Sequence, residues 1–126
     1  MKKLLHISLI ILLFGQSYAQ NDSKVFNSIS SYFQQNDDEK LSNQFAENLD
    51  LTIGEIDGTY CKQQASVLIK DFFIDNKTIS IKMKHQGASN ERTHYAVYDL
   101  KTKNKNWTVY ILLDKSSRII QLQIED

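Results

Sequence analysis

Two histidines, His85 and His94, flank a glycine-bearing turn in the stretch KMKHQGASNERTH. Histidine titrates nearest neutrality, so a close pair can do acid–base work or hold a metal ion. Whether the two meet depends on the register of a β-hairpin. A turn about Ser89 and Asn90 sets His85 opposite His94 and Met83 opposite Ala96, with opposed Cβ atoms about 5 Å apart. A shift of one residue pairs His85 with Tyr95 and moves His94 to the other face. Two histidines still leave a zinc site short of a third protein ligand, and no His-x-x-x-His, Cys-x-x-Cys or acidic spacing supplies it. No metal is therefore expected.

His85 is the stronger functional candidate of the two. It continues the alternating apolar positions Ile79, Ile81 and Met83, so it is expected to reach an internal pocket. The plainer reading is a histidine at the mouth of the core. Asp99 could join it as a base, with Tyr98 as hydroxyl donor. Against this, an aspartate near a strand end is ordinarily solvent-facing. Cys61, the chain's one cysteine, cannot form an internal disulfide. With Gln64 three residues on, it has the spacing of a helix capping box in which sulfur replaces oxygen. As a nucleophile it would want a nearby histidine base, and none is local in sequence. The chain has no glycine-rich phosphate loop, no Gly-x-Ser-x-Gly and no serine–histidine signature. No cofactor is expected.

Several elements must position these residues. The first does not belong to the fold. Lys2 and Lys3 precede an apolar run from Leu4 to Phe14, and Ser17-Tyr18-Ala19 offers small residues for cleavage. The run is short for a membrane span, so residues 1–19 read as a cleaved export signal. No cysteine stands at the cleavage point, which excludes a lipoprotein anchor there. Taking 19 residues and two lysines from a chain of 126 with 15 positive and 15 negative side chains leaves 107 residues, 13 positive and 15 negative. A mature chain of residues 20–126 is one domain. Its near neutrality gives no electrostatic case for nucleic acid or an anionic membrane as partner. A periplasmic or secreted location is expected.

Val25, Phe26, Ile29, Tyr32 and Phe33 recur at helical spacing and predict a first helix over residues 22–35, with Asp22 or Ser23 able to cap it. A short second helix is expected over residues 39–47, capped by Asp37 or Asp38. Leu49, Leu51 and Ile53 alternate as a strand, with turns at Gly54 and Asp57-Gly58. Ala65, Leu68, Ile69, Phe72 and Phe73 stripe a third helix over residues 62–73. Four strands follow, around residues 79–83, 93–100, 107–113 and 119–124, joined by hairpin connections at 104–106 and 114–118. Helices beside an antiparallel meander make an α+β fold.

The segments LSNQFAENLDLTIGEIDGTYCKQQASVLIKDFF, HQGAS and NWTVYILLDKSSRIIQLQIE resemble a small family of exported bacterial proteins of unknown function. Gly58, Tyr60, Lys62, Gln64, Phe72, Phe73, His85, Gln86 and Gly87 carry the resemblance. Cys61 departs from it, standing where serine is expected. The resemblance implies a nuclear-transport-factor-2-like, cystatin-like cone: three helices packed on a curved antiparallel sheet. Such cones often enclose a pocket, and His85, Tyr98, Tyr60 and Phe33 are its candidates here. The leading expectation is a non-catalytic module that holds a small apolar ligand in the cone, or meets a protein partner or a second copy through its sheet. The alternative is a cofactor-independent lyase or isomerase using Asp99 and His85. That enzyme requires both side chains in one cavity, whereas a purely structural dimer predicts an aromatic sheet face.

Overall fold

A computed structural model describes residues 22–126. The expected export signal lies outside the described residues. No helix among those described is long and apolar enough to cross a membrane.

The first helix, α1, covers residues 22–34. Its apolar stripe buries Phe26, Ile29 and Phe33, with Val25 and Tyr32 packed beside them. Asn36 ends it at φ +53° and its Oδ1 accepts from the Thr78 N–H at 3.0 Å. Asparagine tolerates this left-handed turn better than most residues. α2 is Asp38–Asn43, capped by Asp37, whose carboxylate accepts from the Lys40 N–H. It stops four residues before the expected end. Phe45 instead opens β1 (Phe45–Ile53), pairing with Ile119, while the Gln44 carbonyl accepts from the Ile119 N–H at 2.9 Å. Ladder pairing to a distant strand outweighs the helical preference of the local sequence.

β1 turns through Gly54, at φ +58°, into β2 (Ile56–Cys61). Asp57 and Gly58 lie inside β2 and make no turn, because Ile53 already pairs with Ile56 across a two-residue loop. α3 (Lys62–Asp75) buries Ala65, Ile69, Phe72 and Phe73. Then come β3 (Thr78–Ala88), β4 (His94–Thr102), β5 (Asn106–Leu113) and β6 (Ile119–Glu125).

The six strands form one sheet in the order β2-β1-β6-β5-β4-β3. The pairing is antiparallel except between β1 and β6, which run parallel, so the expected antiparallel sheet holds at four of the five junctions. Alternation along each strand gives the sheet two unlike faces. The inner face carries Leu49, Leu51, Ile53, Tyr98, Leu100, Trp107, Val109, Ile111 and Leu122, all buried. α1 and α3 cover it. The interior is filled by rings meeting edge to face: Phe33 on Phe73 at 5.4 Å, Phe72 on Phe73 at 5.7 Å and Phe72 on Trp107 at 5.3 Å. The outer face carries Tyr95, Val97, Tyr110, Leu112, Gln121 and Gln123, half-buried and outside the core.

Candidate functional site

Aromatic rings fill the cone's interior; a larger hollow of about 650 Å³, lined mostly by polar side chains, lies beside Cys61, and another opens at the mouth of the cone. There α1 meets the far ends of β3 and β4 around a cavity of about 420 Å³. Asp22, Ser23 and Phe26 line it from α1, Gln86, Gly87 and Ala88 from β3, and His94 from β4. The size falls within the usual range for small-molecule sites. Helical spacing puts Phe26 one turn beyond Asp22, so one face of α1 gives the cavity both a buried ring and a carboxylate. Across the mouth, His94 Nδ1 stands 3.2 Å from Asp22 Oδ2, with the two side chains 33% and 22% exposed. This contact commits one ring nitrogen and leaves Nε2 as the other polar atom of the ring. The same pair forms the wall of a second hollow of about 460 Å³, lined also by Glu91, Arg92, Asp114, Lys115 and Ser117.

Beneath the cavity, the Tyr98 hydroxyl donates to the Phe26 carbonyl at 2.9 Å. Tyr98 is fully buried. Burial holds its phenol well above the ordinary tyrosine range, opposed in smaller measure by the Ser30 hydroxyl. It therefore stays a neutral donor, pinning β4 to the helix that carries Phe26.

None of the four expected pocket residues lines the cavity. His85 is exposed on the outer face. The cause is a bulge: Met83 pairs with Tyr98, but His85 pairs with Val97, so alternation slips between them. Neither expected hairpin register occurs, since Ala88 pairs with His94 across a loop of residues 89–93. His85 packs instead on Tyr95, with centroids 5.4 Å apart, and Tyr95 stacks on Tyr110 at 6.1 Å. Phe33 is sealed in the core, and Tyr60 packs on the inner face of β2 near α3, at the other end of the sheet. Tyr98 supports the cavity from below without lining it.

Asp99 also lies on the outer face, 60% exposed and 3.7 Å from Lys84. Asp99 and His85 thus share no cavity, and the acid–base site expected of the lyase alternative is not assembled. Cys61 is half-buried as the N-cap of α3, where its backbone N–H donates to Gln64 Oε1 at 3.4 Å. It sits on one edge strand while both described histidines belong to the strands at the opposite side, so it has no histidine base. Among the described residues, no three His, Cys, Asp or Glu side chains gather as metal ligands.

The residues that do meet at the mouth were partly visible in sequence. His94 was one of the histidine pair, Asp22 was a helix cap and Phe26 was part of an apolar stripe. Nothing local signals that the start of α1 reaches the start of β4.

Comparison with known proteins agrees with this architecture. A DUF4783 protein from Bacteroides ovatus is 24% identical and superposes with a TM-score of 0.72, covering 78% of this chain and 91% of that one. A DUF4783 protein from Bacteroides uniformis is 22% identical at a TM-score of 0.73, covering 78% and 93%. More distantly, the epoxide hydrolase/cyclase-like enzyme SalBIII shares 10% identity at a TM-score of 0.63, covering 85% and 91%. These likenesses show the fold, the cone expected from the sequence. No curated protein matches. The family model for DUF4783, a domain of unknown function, matches residues 26–125, and the chain belongs to that family.

Proposed function

We propose that this protein is an exported, non-catalytic binding module that takes a small, largely apolar molecule at the mouth of its cone. One observation carries the reading. The cavity of about 420 Å³ sets Phe26, Gly87 and Ala88 beside four polar side chains, Asp22, Ser23, Gln86 and His94, of which Asp22 and His94 pair with each other. An apolar floor with few polar groups is the usual composition of a small-molecule site. The Phe26 ring and the Ala88 methyl would meet the apolar body of a ligand, and His94 would orient one polar end. The leader-like residues 1–19 support export. The cyclase-like relative lends a precedent only for the fold, since one fold hosts many functions.

The test is a titration of nitrogen-15-labelled protein with a panel of aliphatic and aromatic carboxylates, alcohols and amines. The proposal expects amide shifts grouped at Gly87, Ala88 and His94, lost in an Ala88→Trp variant that fills the cavity. Shifts grouped elsewhere, or none across the panel, would overturn it.

A further inference from the structure

The outer face of the sheet has a charge pattern that specifies a partner. Strand register fixes which side chains stand there. Across β1 and β2, Asp50 faces Thr59 and Thr52 faces Asp57. Each threonine hydroxyl donates to its aspartate, Thr59 to Asp50 at 2.8 Å and Thr52 to Asp57 at 2.9 Å. Both carboxylates are thereby held in place on this face, and neither has an ion-pair partner among the described residues. At the opposite edge, Lys82 pairs in register with Asp99, and Lys84 lies 3.7 Å from the same carboxylate. Lys101, two residues along β4, is exposed on this face as well. One aspartate thus shares this edge with three lysines, only Lys84 in an ion pair with it among the described residues, and the β3 edge keeps an excess of positive charge.

Between these edges, beyond Glu125 at the end of β6, runs an uncharged band. Tyr95 and Val97 on β4, Tyr110 and Leu112 on β5, and Gln121 and Gln123 on β6 are adjacent in register. Gly87 has no Cβ, and the Tyr95 ring lies over it, a Cβ there meeting Tyr95 Cε1 at 3.2 Å. Together with the stack on Tyr110, this keeps the aromatic band low and continuous. No residue of the band belongs to the core that the helices cover.

We infer that this face docks a second copy of the chain, with the two sheets related by a twofold axis parallel to the strands near β5. The charges select that axis. Rotation about a line along the strands reverses the strand order across the interface, so the lysine edge of β3 lies over the β1–β2 hairpin of the other copy. Rotation about a line across the strands would set lysines on lysines and aspartates on aspartates, which is repulsive. The first arrangement also brings Tyr110 and Leu112 toward their own counterparts, as a self-complementary interface requires. This inference is independent of the cavity at the cone mouth, because the two lie on opposite faces of the sheet.

Sedimentation velocity from about 1 µM to about 500 µM covers the range in which such an interface associates. Wild-type chain is expected to move from monomer to dimer. Tyr110→Lys sets two like charges near the axis and is expected to raise the dimer dissociation constant at least about tenfold, with an unchanged melting temperature. An Asp50→Lys/Asp57→Lys variant and a Lys82→Glu/Lys84→Glu variant are each expected to stay monomeric, and their equimolar mixture to form a heterodimer. A chain that stays monomeric throughout overturns the inference. So does a dimer indifferent to Tyr110→Lys, or a mixture of the two charge variants that stays monomeric.

Discussion

Replacing Tyr98 by phenylalanine removes one oxygen from the best-buried polar contact in the protein. The hydroxyl is fully buried and donates to the Phe26 carbonyl at 2.9 Å. The ring keeps its place, so packing is preserved and the loss is the hydrogen bond alone. A net buried hydrogen bond is worth about 1 kcal/mol, and an acceptor left unpaired raises the cost to about 2 kcal/mol. For a domain of this size, that lowers the melting temperature by about 5 to 15 °C. A second, sharper signature lies in alkaline solution. Burial raises the Tyr98 phenol above its ordinary value, and in the unfolded chain it ionises near pH 10. Above that pH the native state keeps a proton that the unfolded state has released. The contribution of the neutral phenol is therefore fully present below about pH 10 and is lost as pH rises toward the folded value, at up to about 1.4 kcal/mol per pH unit. The Tyr98→Phe variant lacks this term. Urea unfolding of both proteins at pH 7 and from about pH 9.5 to 11 should show a gap that narrows as pH rises above 10. Equal stability at pH 7, or a gap that stays constant into alkali, refutes the reasoning.

Other perturbations test other parts of the structure. Phe73→Ala removes a ring wedged between Phe33 and Phe72 and should cost about 3 to 5 kcal/mol in urea unfolding; a cost below about 1 kcal/mol would mean that the interior is loosely packed. Cys61→Ser puts oxygen where the capping box of α3 has sulfur and should raise stability by about 0.5 to 1 kcal/mol. A lowered melting temperature would count against that account of Cys61. Amino-terminal sequencing of protein exported by its own host should begin at Gln20, and an intact Met1 would contradict the leader reading. His94→Ala should weaken any ligand found at the mouth while leaving the fold intact, because its one ion pair among the described residues is the half-open contact with Asp22.

Much of the fold could be read from residue patterning, and the parts that could not have specific physical causes. Phe26, Ile29 and Phe33 on α1, and Ala65, Ile69, Phe72 and Phe73 on α3, follow the helical period closely enough to locate both core faces. The four strands of the carboxyl-terminal half form where they are expected. β1 was harder, because Phe45 to Glu47 read as helix locally and become strand only through pairing with β6. The site was the least legible part. A single bulge between Met83 and His85 reverses the expected face, carrying His85 outward and away from any cavity. Periodicity cannot register one inserted residue in a strand whose positions beyond Met83 are all polar or small. The meeting of Asp22 with His94 spans most of the chain and leaves no trace in local spacing.

The central claim is that the cone mouth holds a small molecule, and native mass spectrometry of the mature protein recovered from its host's exported fraction tests it most directly. The account predicts a discrete additional organic mass on the wild-type chain that is absent from the Ala88→Trp variant prepared in the same way. A wild-type chain that carries no added mass, or an adduct that Ala88→Trp retains in full, would contradict it.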